Sequence, residues 1–205
     1  MSGAHALDDT PQISVMWSRD LGDDAGRWLL RAAVARYRDI DPRVVRVARL
    51  CRGCGSSAHG RPVVLDAGDS APPHVSLSRA ARIVLVAVTD AGPVGVDVEE
   101  AGSADFEGFD TVTLHDAEGL GDPTTTWVRK ESVLKATGHG LAVDPRLVRL
   151  GAGESPRVVA WPDGLPDPSG VQLIDLDLPT GFVGALAVMA GARPRLSVRE
   201  EAPEP

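Results

Sequence analysis

The chain has 205 residues, with 21 Lys plus Arg against 29 Asp plus Glu for a net charge of −8, 43% apolar residues and 4% aromatic. That length suits one large domain or two small ones packed together, and an acidic chain with its arginines spread out is not built for nucleic acid, whose binding rests on clustered cations. The longest apolar runs, such as Ile83 to Val88, fall far short of the roughly 20 residues of a membrane span. The start MSGAHALDD has neither the basic nor the apolar region of a secretory signal, so a cytoplasmic protein that makes no use of a membrane is expected. Two cysteines, Cys51 and Cys54, cannot make a disulfide framework.

Residues 1–13 and 193–205 lack hydrophobic period and are rich in charge or Pro, which predicts mobile tails. Asp23 and Asp24 precede AGRWLLRAAVARYR, whose Trp28, Leu29, Ala32, Ala33 and Ala35 fit the apolar stripe of a first helix. Val44 to Leu50 alternates as a half-buried strand, CRGCGSSAHG forms a Gly/Ser loop, and RPVVLD opens another strand. The run Ile83 to Val88, the turn Asp90 to Pro93 and the returning VGVDVE predict a hairpin. Beyond an acidic, Gly-bearing linker comes a helix from Thr124 to Thr137. Asp122 suits its cap, Pro123 its first position and Gly138 its left-handed stop. Strands follow near Arg157–Trp161, Val171–Leu176 and Phe182–Met189. Helix-then-strands, twice over, predicts an α+β fold of two similar halves, 14–101 and 102–192, joined near Gly102 and packed on each other because neither has enough apolar strand to stand alone.

The only two lysines, Lys130 and Lys135, both fall in WVRKESVLKATG, although the other 19 basic residues are Arg. That placement suggests a use for the compact ammonium as a point charge. In VGVDVE a period of two sends Val94, Val96 and Val98 to one face and Gly95, Asp97 and Glu99 to the other. Two like charges side by side either face water or hold a cation. On the second helix Trp127, Glu131 and Lys135 share a ridge with Lys130 beside it, an arrangement that could be an ordinary surface ion pair. If Glu131 instead joins Asp97 and Glu99, the three acids suit Mg²⁺, with both lysines facing a phosphorylated ligand. Trp127 is expected to anchor the core. Cys51-x₂-Cys54, with His59 after a four-residue spacer, offers three of the four ligands of a structural zinc site, with His74 or an acid to complete it. A redox Cys-x-x-Cys would instead favour a helix N-terminus.

GVDVE (Gly95–Glu99), followed about thirty residues later by WVRKESVLKATGHGL (Trp127–Leu141), resembles the motif pair of the 4′-phosphopantetheinyl transferases, in their larger Sfp-type branch. Upstream, HGRP (His59–Pro62) and HVSLS (His74–Ser78) fall where that family has its Gly-basic-Pro and Ser-His-Ser segments. Four motifs in the family's order are far more specific than any one of them, and the likeness runs from about Arg27 to Met189.

The resemblance implies two related α+β halves with the active site between them. It implies an enzyme that moves the 4′-phosphopantetheine arm of coenzyme A to a serine of an apo acyl or peptidyl carrier protein, releasing 3′,5′-ADP. Asp97, Glu99 and Glu131 match the family's Mg²⁺ ligands, and Glu131 is the candidate base for the serine proton. Lys135 matches a lysine that steadies the pyrophosphate, and Lys130 the lysine of the family's Lys-Glu pair, both toward coenzyme A. Arg61 stands at the basic position that contacts the nucleotide end, Ser76 matches the first serine of Ser-His-Ser, and Arg27 the first-helix arginine that reaches the 3′-phosphate. Leu77 departs from the pattern, because it stands where the family has a histidine and cannot donate a hydrogen bond. Weaker coenzyme A binding, or tolerance of a dephospho form, is expected unless His74, Arg79 or Arg61 compensates. The alternative is a noncatalytic member that binds coenzyme A or a carrier without turnover. Carrier proteins of this kind are acidic, like this chain, so docking needs a local apolar or arginine-bearing patch near the first helix or after Glu99. Duplicated halves supply an interface within one chain, and a monomer is expected.

Overall fold

Along the chain the elements are β1 (Gln12–Arg19), α1 (Ala25–Arg38), β2 (Arg46–Leu50), β3 (Arg61–Asp66), β4 (His74–Ala80), β5 (Ile83–Thr89) and β6 (Val94–Glu100). After these come α2 (Phe109–Thr113), α3 (Pro123–Thr137), β7 (Arg149–Leu150), β8 (Val158–Ala160), β9 (Val171–Asp175), β10 (Phe182–Met189) and β11 (Arg195–Glu200). This is a computed structural model, and it describes residues 10–19, 22, 24–68, 71–119, 121–151, 156–164 and 167–202. Among them no helix is long and apolar enough to cross a membrane.

The architecture is α+β: β1, α1, the β2–β3 pair, β4 and β5 are followed by β6, α3, the β7–β8 pair, β9 and β10 in the same order, with α2 inserted before α3 and β11 added at the end. Pairing repeats as well. The first sheet runs β11-β1-β5-β4 and the second β6-β10-β9, so β1-β5-β4 and β6-β10-β9 follow one pattern and β11 is an added strand on β1. The expected hairpin of β5 with β6 does not form. β6 pairs antiparallel with β10, with Asp97 opposite Ala185, and so belongs to the second sheet. Gly92 (φ +144°) lets the intervening turn reach the end of β10, where a Cβ would collide with the Met189 carbonyl and where Met189 N–H donates to Pro93 O at 2.9 Å. The sheet therefore changes in the turn at residues 90–93, and two apolar runs separated by a short turn need not pair with each other.

Neither expected tail holds its predicted bounds. β1 begins at Gln12, while residues 1–9 lie outside the described residues. The stretch 193–205 contains β11, which runs parallel to β1 with Val15 opposite Val198. Its partner lies almost the whole chain away, and its mixed charges suit an edge strand with one wet face. Residues 203–205 are outside the described ones.

Layering follows from side-chain alternation. Ile13, Val15, Leu85 and Ala87 meet Val94, Val96, Val98, Leu186 and Val188 between the two sheets. The opposite face of the first sheet, with Met16, Val84, Val86 and Val88, takes α1 through Leu29, Leu30, Ala33 and Val34. The opposite face of the second, with Ala185, Ala187 and Leu173, takes α3 through Val128, Val133, Leu134 and Ala136. β5 is covered on both sides and is buried throughout, which explains its unbroken apolar run. Asp24 makes no side-chain bond at the start of α1, and Asp23 lies outside the described residues. Burial of Leu29, Leu30 and Val34, at about 1.5–3 kcal/mol each, therefore holds α1 in place. α3 is capped as its sequence predicts: the Asp122 carboxylate accepts from Thr125 N–H at 2.7 Å, and Gly138 stops the helix at φ +77°.

Candidate active site at the junction of β4, β6 and α3

Gly95 is what allows α3 to lie directly on β6. A methyl group there would collide with the Ser132 carbonyl oxygen and stand 2.5 Å from the Ala136 nitrogen, so no larger residue fits without displacing the helix. The close approach brings the α3-facing carboxylates of β6 to Glu131 and Lys135. β4, the edge of the first sheet, meets β6 through two serines: Ser76 Oγ accepts from Val96 N–H at 3.0 Å, and Ser78 Oγ donates to Asp97 Oδ1 at 2.6 Å.

Asp97 is 2% exposed. Its Oδ1 also accepts from Lys135 Nζ at 2.5 Å, and the same ammonium stands 3.2 Å from Glu131 Oε2 and 3.1 Å from Ser78 Oγ. Asp97 Oδ2 is buried with no hydrogen-bond partner. Burial raises the pKa of Glu99, and the charges of Asp97 and Glu131 raise it further. Burial likewise raises that of Glu131, with Asp97 adding and Lys135 opposing. Burial works against the Lys135 ammonium, yet Asp97 and Glu131 outweigh it and raise its pKa. Asp97 and Glu131 thus share one ammonium, Glu99 lies within reach of their charges, and a buried Asp97 oxygen lacks a donor. That donor set fits a hard divalent cation. The three acids are not drawn together to ligating distance, because Lys135 lies between Asp97 and Glu131. Among the described residues only Cys51, Cys54 and His59 bring ligand atoms within 4.8 Å of one another.

Lys135 also lines a cleft of about 1410 Å³ walled by the start of α1, the β2–β3 hairpin, β4 and the end of α3. Among the described residues Arg27, Arg49, Arg52, Arg61, Arg79 and Lys135 face this cleft, with Asp24 as the only acid. An acidic protein thus places six of its 21 Lys and Arg in one concavity, a field that selects a polyanion. Burial and the Arg61 guanidinium together lower the pKa of His74, as expected at a cationic wall. Arg52 Nη1 donates to Thr137 O at 3.1 Å, closing the cleft against the negative end of α3.

Of the residues singled out in sequence, Asp97, Glu99, Glu131 and Lys135 come together, and Arg27 and Arg61 line the adjoining cleft. Ser76 lines it as well, but its oxygen is committed to joining the sheets, and Ser78 is the serine that touches Asp97 and Lys135. The period of two that places Ser76 and Ser78 on one face of β4 could have found it. Lys130 does not face the cleft. It is fully buried, pairs with Glu118 Oε2 at 2.5 Å, and donates to Thr113 O at 2.8 Å and Val148 O at 2.7 Å. Five residues of helix turn Lys130 roughly 140° away from Lys135, so the two cannot serve one ligand. Burial lowers the Lys130 pKa, with Glu118 opposing. Glu118, which also accepts from the N–H groups of His115 and Leu150, carries no motif that would reveal it.

Leu77 lines the cleft and packs on α1, with Cδ1 3.1 Å from where a Cβ on Gly26 would lie. Trp127 is half-buried rather than a core anchor. It lines a second cavity of about 450 Å³ with Phe106, Val112, Leu141 and Glu99, and three of those neighbours are exposed apolar side chains. Among the described residues neither His74 nor an acid joins Cys51, Cys54 and His59. Compared with protein-family models and with curated proteins, the sequence gives no match to either.

Proposed function

We propose that the protein is a Mg²⁺-dependent 4′-phosphopantetheinyl transferase that passes the arm of coenzyme A to a serine of an acyl or peptidyl carrier protein. One observation carries this reading: three neighbouring carboxylates, two of them sharing Lys135, stand at the end of a cleft that six cations of the described residues line, of a size to hold a nucleotide with several phosphates. The four motifs supply the chemical class. The repeated order of elements and of strand pairing is compatible with the two-halved fold of that family.

Arg27, Arg61 and Arg79 would take the nucleotide and its 3′-phosphate, while Lys135 reaches the pyrophosphate from the end of α3. Asp97, Glu99 and Glu131 would hold Mg²⁺, with the unpartnered Asp97 Oδ2 the readiest ligand atom. When bound, the ion supplies positive charge against the pyrophosphate oxygens. Glu131, its pKa raised by burial, accepts the proton of the incoming serine, directly or through a water. The serine oxygen forms its bond to the β-phosphorus as the bond to 3′,5′-ADP breaks. Lys135 offsets charge gathering on the departing group, and such reactions depend chiefly on positioning and electrostatics. The exposed Phe106, Val112 and Leu141 beside Glu99 give an acidic carrier an apolar place to dock despite like net charges.

One observation favours a second reading, a binder without turnover: Leu77 places methyl groups on the cleft wall where a donor to the 3′-phosphate is expected. Incubation with an apo carrier, coenzyme A and Mg²⁺, read by intact-protein mass, separates the two. A gain of one phosphopantetheine arm, absent with Glu131→Ala, supports transfer. No gain across several carriers, with coenzyme A still bound, supports the binder.

A further inference from the structure

The ten residues 51–60 join β2 to β3 and form part of the cleft wall, yet nothing in the proposed transfer uses Cys51, Cys54 or His59. The loop folds back sharply on its first residue. Gly55, left-handed at φ +72°, donates its N–H to Cys51 O at 2.9 Å, and Cys51 N–H donates to Ser56 O at 3.0 Å. The turn brings both sulfurs to one side, where they and a ring nitrogen of His59 all lie within 4.8 Å of one another. His59 then returns, so that its Nε2 lies 3.5 Å from Cys54 Sγ. A tetrahedral zinc with its usual bond lengths to sulfur and nitrogen separates two such ligands by about 3.6 Å.

We infer that Cys51 Sγ, Cys54 Sγ and His59 Nε2 form a Zn²⁺ site on the β2–β3 loop, with solvent in the fourth position. Two thiolates and an imidazole select a soft or borderline ion, whereas the Asp97 cluster offers oxygen to a hard one, so the two sites do not compete. Cys54 and His59 are exposed, which leaves the site open to entry. The ion cross-links the two ends of the loop and steadies Arg52 and Arg61 at the cleft wall. The site stands whether or not the protein transfers phosphopantetheine.

The test uses the full chain, thiol-reduced and stripped by chelator, titrated with Co²⁺ as a visible probe. Thiolate-to-cobalt charge transfer with intense tetrahedral visible bands should saturate near one equivalent and vanish on adding Zn²⁺. Cys51→Ser and Cys54→Ser should lose the charge transfer, and His59→Ala should weaken binding about tenfold or more. These loop variants should keep the far-ultraviolet dichroism of the parent. As a second readout, Zn²⁺ at ten times its dissociation constant should slow tryptic cleavage after Arg52 about tenfold if cleavage requires loop opening. Absence of charge transfer with both thiols reduced would overturn the site, as would equal absorption from Cys54→Ser.

Discussion

Lys130 and Lys135 carry the same charge on one helix and do different work, because one points into the protein and the other into the cleft. Lys130→Met leaves the nearly buried Glu118 carboxylate and three main-chain carbonyls, of Thr113, Pro145 and Val148, without their donor. Removing one partner of such a pair costs about 3–5 kcal/mol, so the urea midpoint should fall while coenzyme A affinity of the folded fraction holds. Lys135→Met should lower coenzyme A affinity and abolish transfer. The glutamates give a pH signature. Both Glu99 and Glu131 ionise less readily in the fold than at their ordinary value of 4.5, so protonating them stabilises it. That contribution is complete below the unfolded pKa and is lost as pH rises through the raised folded value. Without divalent metal, Glu99→Gln should therefore raise the melting temperature at pH 7, by about 2–4 °C per kcal/mol of relief. The gain should disappear at pH 4, where the parent is protonated as well, and calorimetry at the two values checks it.

At the scale of elements, the contact of α3 with β6 decides whether a site exists. Gly95→Ala pushes a methyl into helix backbone, which cannot rotate away as a side chain could. Overpacking of this kind costs about 1–3 kcal/mol and moves Glu131 and Lys135 from Asp97, so turnover should fall far more than stability; denaturant melts beside initial rates measure the difference. β11 contributes through the first sheet. It hydrogen-bonds to β1, and Leu196 and Val198 pack against the core between the sheets. Truncation after Ala192 should destabilise the protein and speed amide exchange in β1, while exchange in β6 and β10 changes little.

For the whole molecule, charge distribution matters more than net charge. The chain is −8 overall, yet its cleft is cationic, so salt should act oppositely on the two proposed substrates. Coenzyme A binding should weaken as ionic strength rises, because screening removes its attraction to the arginines. Association with an acidic carrier should hold or strengthen as long-range repulsion is screened and the apolar contacts beside Glu99 remain. Calorimetric titration of each at two salt concentrations reads both trends, and a carrier affinity that falls steeply with salt would instead place arginines in its interface.

By itself the sequence determined the features with short-range causes. Asp122, Pro123 and Gly138 fixed α3 to within a residue, and the period of two in VGVDVE set Asp97 and Glu99 on the face that meets the helix. Composition likewise determined the acidity and the scarcity of lysine. Only the tertiary structure decided which strands pair, since β5 and β6 look like a hairpin until β10 takes the edge of β6, and β11 has no partner within 170 residues. It decided, too, that Ser78 rather than Ser76 touches Asp97, that Lys130 is a buried strut, and that scattered arginines line one cleft. The physical reason is range: caps and periodicity act over a few residues, whereas pairing, burial and the convergence of charges depend on segments that only folding brings together.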